Sequence, residues 1–207
     1  MTMLRYNAGK APLSLIPSTF FEAIFNSAYE CGTTAPTKLI WQVGAVLDFG
    51  AQKYSAHNWR KGGTWSSVLN SAFRHLIAMA SGSRVDFESN QPEAGHLGCN
   101  IAFLLEFVHT STGVDDRYSV MWAPTLNADA HPNLTLVLDA LLRFRDGGNV
   151  NCLREAAWEL ARWVEIQEEP APAAAAPPPP VDYVPLPFKF PSFPHIPVAD
   201  LASATRH

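Results

Sequence analysis

Apolar residues recur along this chain at the three- and four-residue intervals that mark one face of a helix. Leu39, Val43, Val46, Leu47 and Ala51 follow that spacing and predict a helix from Pro36 or Thr37 to about Tyr54. The runs Val68 to Met79 and Leu97 to Val108 repeat it. They predict two more helices, one capped by Thr64 or Ser66 and ending at Gly82, the other started at its first turn by Pro92. Upstream, Ser18 as N-cap and Gly32 as stop bracket a helix over Thr19 to Glu30. Downstream, Leu134 to Arg145 and Val150 to Gln167 read as two shorter amphipathic helices joined at Asp146-Gly147-Gly148, a natural turn. The pattern predicts an all-α fold, an antiparallel helical bundle followed by a helical hairpin.

Between and beyond these blocks the pattern breaks in three places. Pro12 and Pro17 discourage helix in the polar N-terminal arm. The stretch from Ser111 to Asn133 has no clean period and reads as a connector. From Glu168 the sequence turns to EEPAPAAAAPPPP, a polyproline-type spacer, and then to a tail whose apolar residues are separated by prolines. The tail lies in extended form along another subunit or partner, or is a disordered tail. The expected organisation is therefore 1–110 as the main domain, 111–167 as connector and hairpin, and 168–207 as Pro-rich linker and tail. No internal repeat is present.

Composition narrows the class. The 207 residues are 47% hydrophobic and 16% charged, enough to bury one domain core. A formal charge of -4 argues against a protein that coats nucleic acid through its net charge. No run approaches the roughly 18 apolar residues of a membrane span, and the N-terminal MTMLRYNAGK lacks the apolar core of a signal peptide. The expected location is a cytoplasm, with Cys31, Cys99 and Cys152 as buried free thiols, since their spacing fits neither a zinc knuckle nor a redox pair.

The residue types able to do chemistry concentrate between Gly50 and Glu106. Glu93, His96 and Asn100 stand at i, i+3 and i+7 and share a helix face. With Asp86 and Glu88 they can bind a hard divalent cation such as Mg²⁺ or Mn²⁺; a solvated acidic loop followed by a core histidine is the other reading. On the preceding helix, Arg74 suits bidentate pairing with phosphate, and His75 reads as a buried structural histidine. The loop Lys53, Tyr54, His57, Asn58, Trp59, Arg60, Lys61 interleaves cations, aromatics and an amide. Those types suit a nucleotide, a nucleic acid or merely solvent. Lys10, after Gly9 in the arm, can close over phosphate. No P-loop, dinucleotide fingerprint, nucleophile elbow or HExxH motif occurs.

Taken in order, NAGK-x-x-L-x-L-IP, GAQKYSAHNWRKG, RHLIAMASG, DFES and HLGCNIAFLLE make residues 4–108 resemble the phage dATP/dGTP diphosphohydrolases, a branch of the all-α, MazG-like nucleoside triphosphate pyrophosphohydrolases. The resemblance implies cleavage of a purine deoxynucleoside triphosphate, dGTP and possibly dATP, to the monophosphate and pyrophosphate. The divalent metal it implies is Mg²⁺, Mn²⁺ or Co²⁺. It implies metal binding by Asp86, Glu88, Glu93 and His96, with Asp86, Glu88 and His96 catalytic. Lys10, Lys53, Tyr54, Asn58, Trp59, Arg60, Arg74 and Asn100 are the implied substrate contacts. It further implies a homo-oligomer, dimer or tetramer, in the cytoplasm of an infected bacterial host, supplying dGMP for 2-aminoadenine nucleotides; with the charge and hydropathy above, no membrane partner is expected and nucleic acid is disfavoured. Three positions depart from the family pattern, which carries Asp, Arg and Glu where Asn7, Pro12 and Gln42 stand, and the ExxE and ExxD pairs of MazG-like enzymes are not intact. The rival from another class is a catalytically silent phage protein that binds nucleotide or nucleic acid through the 53–61 loop.

Overall fold

Six helices, built where the apolar period places them, carry the computed structural model, which describes residues 10–117 and 132–167. They are α1 (Ser18–Glu30), α2 (Lys38–Lys53), α3 (Trp65–Ala80), α4 (Glu93–Thr110), α5 (Pro132–Arg145) and α6 (Val150–Ile166). Among the described residues there is no strand, and no helix is long and apolar enough to cross a membrane. The expectations for the first nine residues, most of the connector and the Pro-rich tail fall outside the described residues.

The fold is an all-α bundle with α4 at its centre. This helix is apolar nearly all round, as a helix enclosed on several sides must be, and Leu97, Ile101, Ala102, Leu104 and Leu105 are shut off from water. It packs against α1, α2, α3 and α6. The flanking helices each turn one apolar stripe inward: Phe20 and Ile24 from α1, Leu39 and Val43 from α2, Leu69, Ala72 and Leu76 from α3. α5 and α6 form the hairpin expected from the Asp146-Gly147-Gly148 turn, and α6 covers faces of α1, α2 and α4.

Close approach of α2 to α4 depends on Gly95 and Gly98. A Cβ at residue 98 would stand 2.6 Å from Val43 Cγ2, and one at residue 95 only 2.9 Å from the backbone oxygen of Gln42. The second neighbour is main chain and cannot swing away. Gly95→Ala should therefore lower stability by about 1 kcal/mol net, overpacking outweighing the gain in helix propensity. Gly50→Ala, in α2 with no atom within 4 Å of the new carbon, should raise it by up to about 1 kcal/mol. Thermal midpoints of the two variants moving in opposite directions would bear this out; a gain in both would mean that α2 and α4 stand farther apart.

The helix starts differ from expectation in an instructive way. Ser18 begins α1 but makes no capping bond, and Thr64 stands at the N-cap of α3 without one. Asp116 does the work for α3, accepting from the Ser66 amide at 2.9 Å and the Ser66 hydroxyl at 2.5 Å. A carboxylate placed there also suits the positive end of the helix dipole. Next to it, Arg117 donates to Phe144 O at 2.6 Å and Gly148 O at 3.0 Å and lies 4.0 Å from the centre of the Phe144 ring. That arginine ties the first four helices to the hairpin.

Candidate functional site

The C-terminal end of α2, the loop after it, α3, the 83–92 loop and α4 enclose a cavity of about 630 Å³. Of the residues singled out from sequence, Lys53, Tyr54, Asn58, Trp59, Arg74, Asp86, Glu88, His96 and Asn100 line it; Lys10, Arg60 and Glu93 do not. His75 and Ser89, neither of them in the predicted set, also line it. The bundle thus gathers segments that are far apart in sequence around one hollow.

The wall nearest α4 is a hydrogen-bonded cluster. The 83–92 loop folds back on itself through an antiparallel bridge between Val85 and Pro92, with Asn90 left-handed at φ 54° and the Asp86 amide bonded to Gln91 O at 2.9 Å. Asn tolerates that backbone because its short polar side chain can bond locally. The fold-back delivers Asp86 to Glu93 and His96 at the start of α4. Asp86 Oδ1 accepts from the Ser89 amide at 2.9 Å and hydroxyl at 2.8 Å, and lies 3.8 Å from His96 Nε2. Glu93, buried at 6% exposure, accepts from His75 Nδ1 at 2.6 Å and from Ser83 Oγ at 3.3 Å. With a carboxylate on Nδ1, the His75 lone pair falls on Nε2, the arrangement that carboxylate-histidine pairs present to metals. The rings of His75 and His96 stack 4.7 Å apart at 15°.

One ligand atom from each of His75, Asp86 and Glu93 lies within 4.8 Å of the others. Two carboxylates and an imidazole form a donor set that fits a divalent ion such as Mn²⁺ or Co²⁺. Of the four metal ligands expected from sequence, Asp86 and Glu93 fall in this group and Glu88 and His96 do not, while His75 joins it. In the structure Glu88 Oε1 sits 2.5 Å from Lys53 Nζ on the exposed rim, and His96 is stacked against the group. Arg74 bonds the Ser71 hydroxyl at 2.7 Å and has no carboxylate partner among the described residues, so its charge remains available to an anion. Trp59 stacks on Phe103 at 5.7 Å and carries the Arg60 guanidinium 5.0 Å from its ring, so much of its aromatic surface is already covered. Asn100 donates to His96 O at 2.8 Å, keeping its amide oxygen for other partners.

The fields in the cluster act in opposite senses on its members. Burial, then the His75 charge, hold the His96 pKa below 6.5 against the attraction of Asp86, Glu93 and Glu88. For Asp86, burial pushes up, but the two Ser89 hydrogen bonds and the His96 and His75 charges outweigh it, and its pKa falls below 3.8. The Arg117 hydrogen bond lowers Asp115, and the Ser66 bonds lower Asp116. Every one of these folded-state values lies below the unfolded one. Stability from His96 is complete above pH 6.5 and declines as pH falls through its folded value; that from the aspartates is complete above 3.8 and lost below. Acid titration of unfolding free energy in metal-free protein should show both declines, and His96→Gln should remove the upper one.

An all-α bundle holding a carboxylate-imidazole cluster, with an arginine that has no carboxylate partner among the described residues on the same cavity, is the class that the fold and cavity define. The family described as dATP/dGTP diphosphohydrolase, N-terminal, matches residues 2–117, more than half of the chain, and the chain belongs to that family. A dATP/dGTP diphosphohydrolase of Salmonella phage PMBT28 is 28% identical over 117 residues, which cover 56% of this chain and 33% of the relative. The chain thus spans about a third of the length of the curated relative it matches. No solved structure matches.

Proposed function

We propose that this chain hydrolyses purine deoxynucleoside triphosphates between the α and β phosphates, giving the monophosphate and pyrophosphate with the help of a divalent metal. The observation that carries the reading is the convergence of His75, Asp86 and Glu93 within 4.8 Å at the wall of a cavity that Arg74 also lines. Family membership and the activity for which the phage relative is named support the substrate class. His75, Asp86 and Glu93 would hold the ion, which when bound neutralises phosphate oxygens and polarises the bond to be broken. Arg74 pairs with phosphate, and Lys53 exchanges Glu88 for a phosphate oxygen when substrate enters. Asn58 and Asn100 offer amide groups to sugar or base, and Tyr54, exposed and on the cavity wall, offers a ring for stacking.

A phage setting accords with the relative's source; cleavage of dGTP to supply dGMP for 2-aminoadenine nucleotides in the host cytoplasm, by a homo-oligomer that completes the cavity, is part of the same proposal. The test is incubation with each of the four deoxynucleoside triphosphates, with Mg²⁺, Mn²⁺ or Co²⁺ or with chelator, and chromatographic identification of products. Purine monophosphate and pyrophosphate formed only with metal are expected. Equal turnover of pyrimidines, or turnover in chelator, would contradict the proposal.

A further inference from the structure

Ser89 belongs to none of the residues assigned a role above, yet it is the hub of the cluster. It is 7% exposed, and its Oγ accepts from the Gln91 amide at 3.1 Å, lies 2.8 Å from Asp86 Oδ1 and lies 2.6 Å from His96 Nε2. A hydroxyl has one proton and two lone pairs, so three partners use it completely. Gln91 N–H occupies one lone pair. Asp86 is an ionised carboxylate, its acidity strengthened by Ser89 itself, and can only accept, so it takes the hydroxyl proton. The remaining lone pair can meet only an N–H. His96 must therefore carry its proton on Nε2.

The consequence lies at the other ring nitrogen. His96 Nδ1 has no hydrogen-bond partner among the described residues, and the only buried, unpartnered side-chain polar atoms among them are Gln42 Oε1, His57 Nδ1 and Trp59 Nε1. His96 Nδ1 is therefore open to solvent in the cavity that its ring lines. In the neutral ring with Nε2 protonated, that nitrogen is a lone pair. Left to itself an imidazole exchanges between tautomers; here the partner of one nitrogen fixes the chemistry of the other, as in outer-shell control of ligating histidines.

We propose that Ser89 is a positioning residue that locks His96 as the Nε2–H tautomer, so that the Nδ1 lone pair accepts a hydrogen bond from, and orients, the water that attacks the phosphate chain. The orienting role rests on the hydrolysis proposed above; the tautomer does not. Asp86 and Gln91 hold Ser89, Ser89 holds His96, and His96 holds the water. Two of the four links are in one short loop, which explains why that loop folds back so tightly.

The experiment is nitrogen-15 NMR of the imidazole rings in the full chain without metal, together with steady-state kinetics of Ser89→Ala and Ser89→Thr. The wild type should show His96 protonated at Nε2 and bare at Nδ1. Ser89→Ala should give averaged or reversed ring signals and lower kcat about 10- to 100-fold, with KM within about twofold. Ser89→Thr, which keeps the hydroxyl, should restore the Nε2–H pattern and most of kcat. A wild-type His96 protonated at Nδ1 overturns the proposal without any variant being made. Ser89→Ala with unchanged ring signals and unchanged kcat overturns it as well. The ring signals are read without substrate, so failure of the hydrolysis proposal would appear separately, as absent turnover with the Nε2–H pattern intact.

Discussion

Asp86→Asn should reduce turnover of purine deoxynucleoside triphosphate by at least about 100-fold while leaving the helical content unchanged, the scale on which loss of a metal ligand exceeds loss of an outer-shell partner. The substitution is nearly isosteric. An amide oxygen can still accept from the Ser89 amide and hydroxyl, which bond the carboxylate at 2.9 and 2.8 Å, so the loop keeps its fold. What disappears is the negative charge 3.8 Å from His96 Nε2, and with it the carboxylate of the proposed metal group that lines the cavity. Glu88→Gln should be far milder, because Glu88 is exposed and its contact is to Lys53 at the rim. The double variant should behave like Asp86→Asn. Calorimetric titration with Mn²⁺ separates the two effects: heat of binding should vanish in Asp86→Asn and persist in Glu88→Gln. Near wild-type turnover in Asp86→Asn would place the reacting centre elsewhere.

Phe144→Ala should cost about 3–5 kcal/mol, the usual range for emptying a fully buried aromatic position. Phe144 has no exposed surface, stacks on Trp65 with ring centres 6.0 Å apart and lies under the Arg117 guanidinium. Trp65 opens α3, which carries Arg74 and His75, and its indole donates to Thr112 O at 3.0 Å. The loss would therefore reach the cavity wall from a residue outside the family-matched segment. Chemical denaturation of the purified variant reads the cost as a shift in midpoint at unchanged slope. A cost below about 1 kcal/mol would mean that the hairpin packs loosely on the bundle.

The six helices were legible because each carries a continuous apolar stripe, and a stripe is a local property of sequence. Helix boundaries were read to within a residue or two, including Pro92 just ahead of α4 and Gly82 just past α3. Capping was harder to read: Asp116 caps α3 from a segment fifty positions downstream of Ser66, a pairing that no local pattern announces. The candidate site divides along the same line. Asp86, Glu93 and His96 were visible as a group because they share one loop and the helix it enters. His75 was not, since its place in the cluster depends on the packing of α3 against α4 and its 2.6 Å bond to Glu93. The signal that could have found it is the i, i+3, i+7 face of α4, which needs a partner histidine or carboxylate opposite. Ser89 was overlooked because a serine in a polar loop is ordinarily solvated, and only its burial shows otherwise. Trp59 looked free to stack on a base, and Phe103, far downstream in sequence, turns out to stack on it.

Phosphorus NMR of dGTP incubated with the full chain and Mg²⁺, next to the same sample in chelator, reads the proposed cleavage most directly. The triphosphate signals should give way to pyrophosphate and a monophosphate ester in the metal-containing sample alone. Release of inorganic triphosphate or orthophosphate, or an unchanged triphosphate spectrum in the presence of metal, would contradict it.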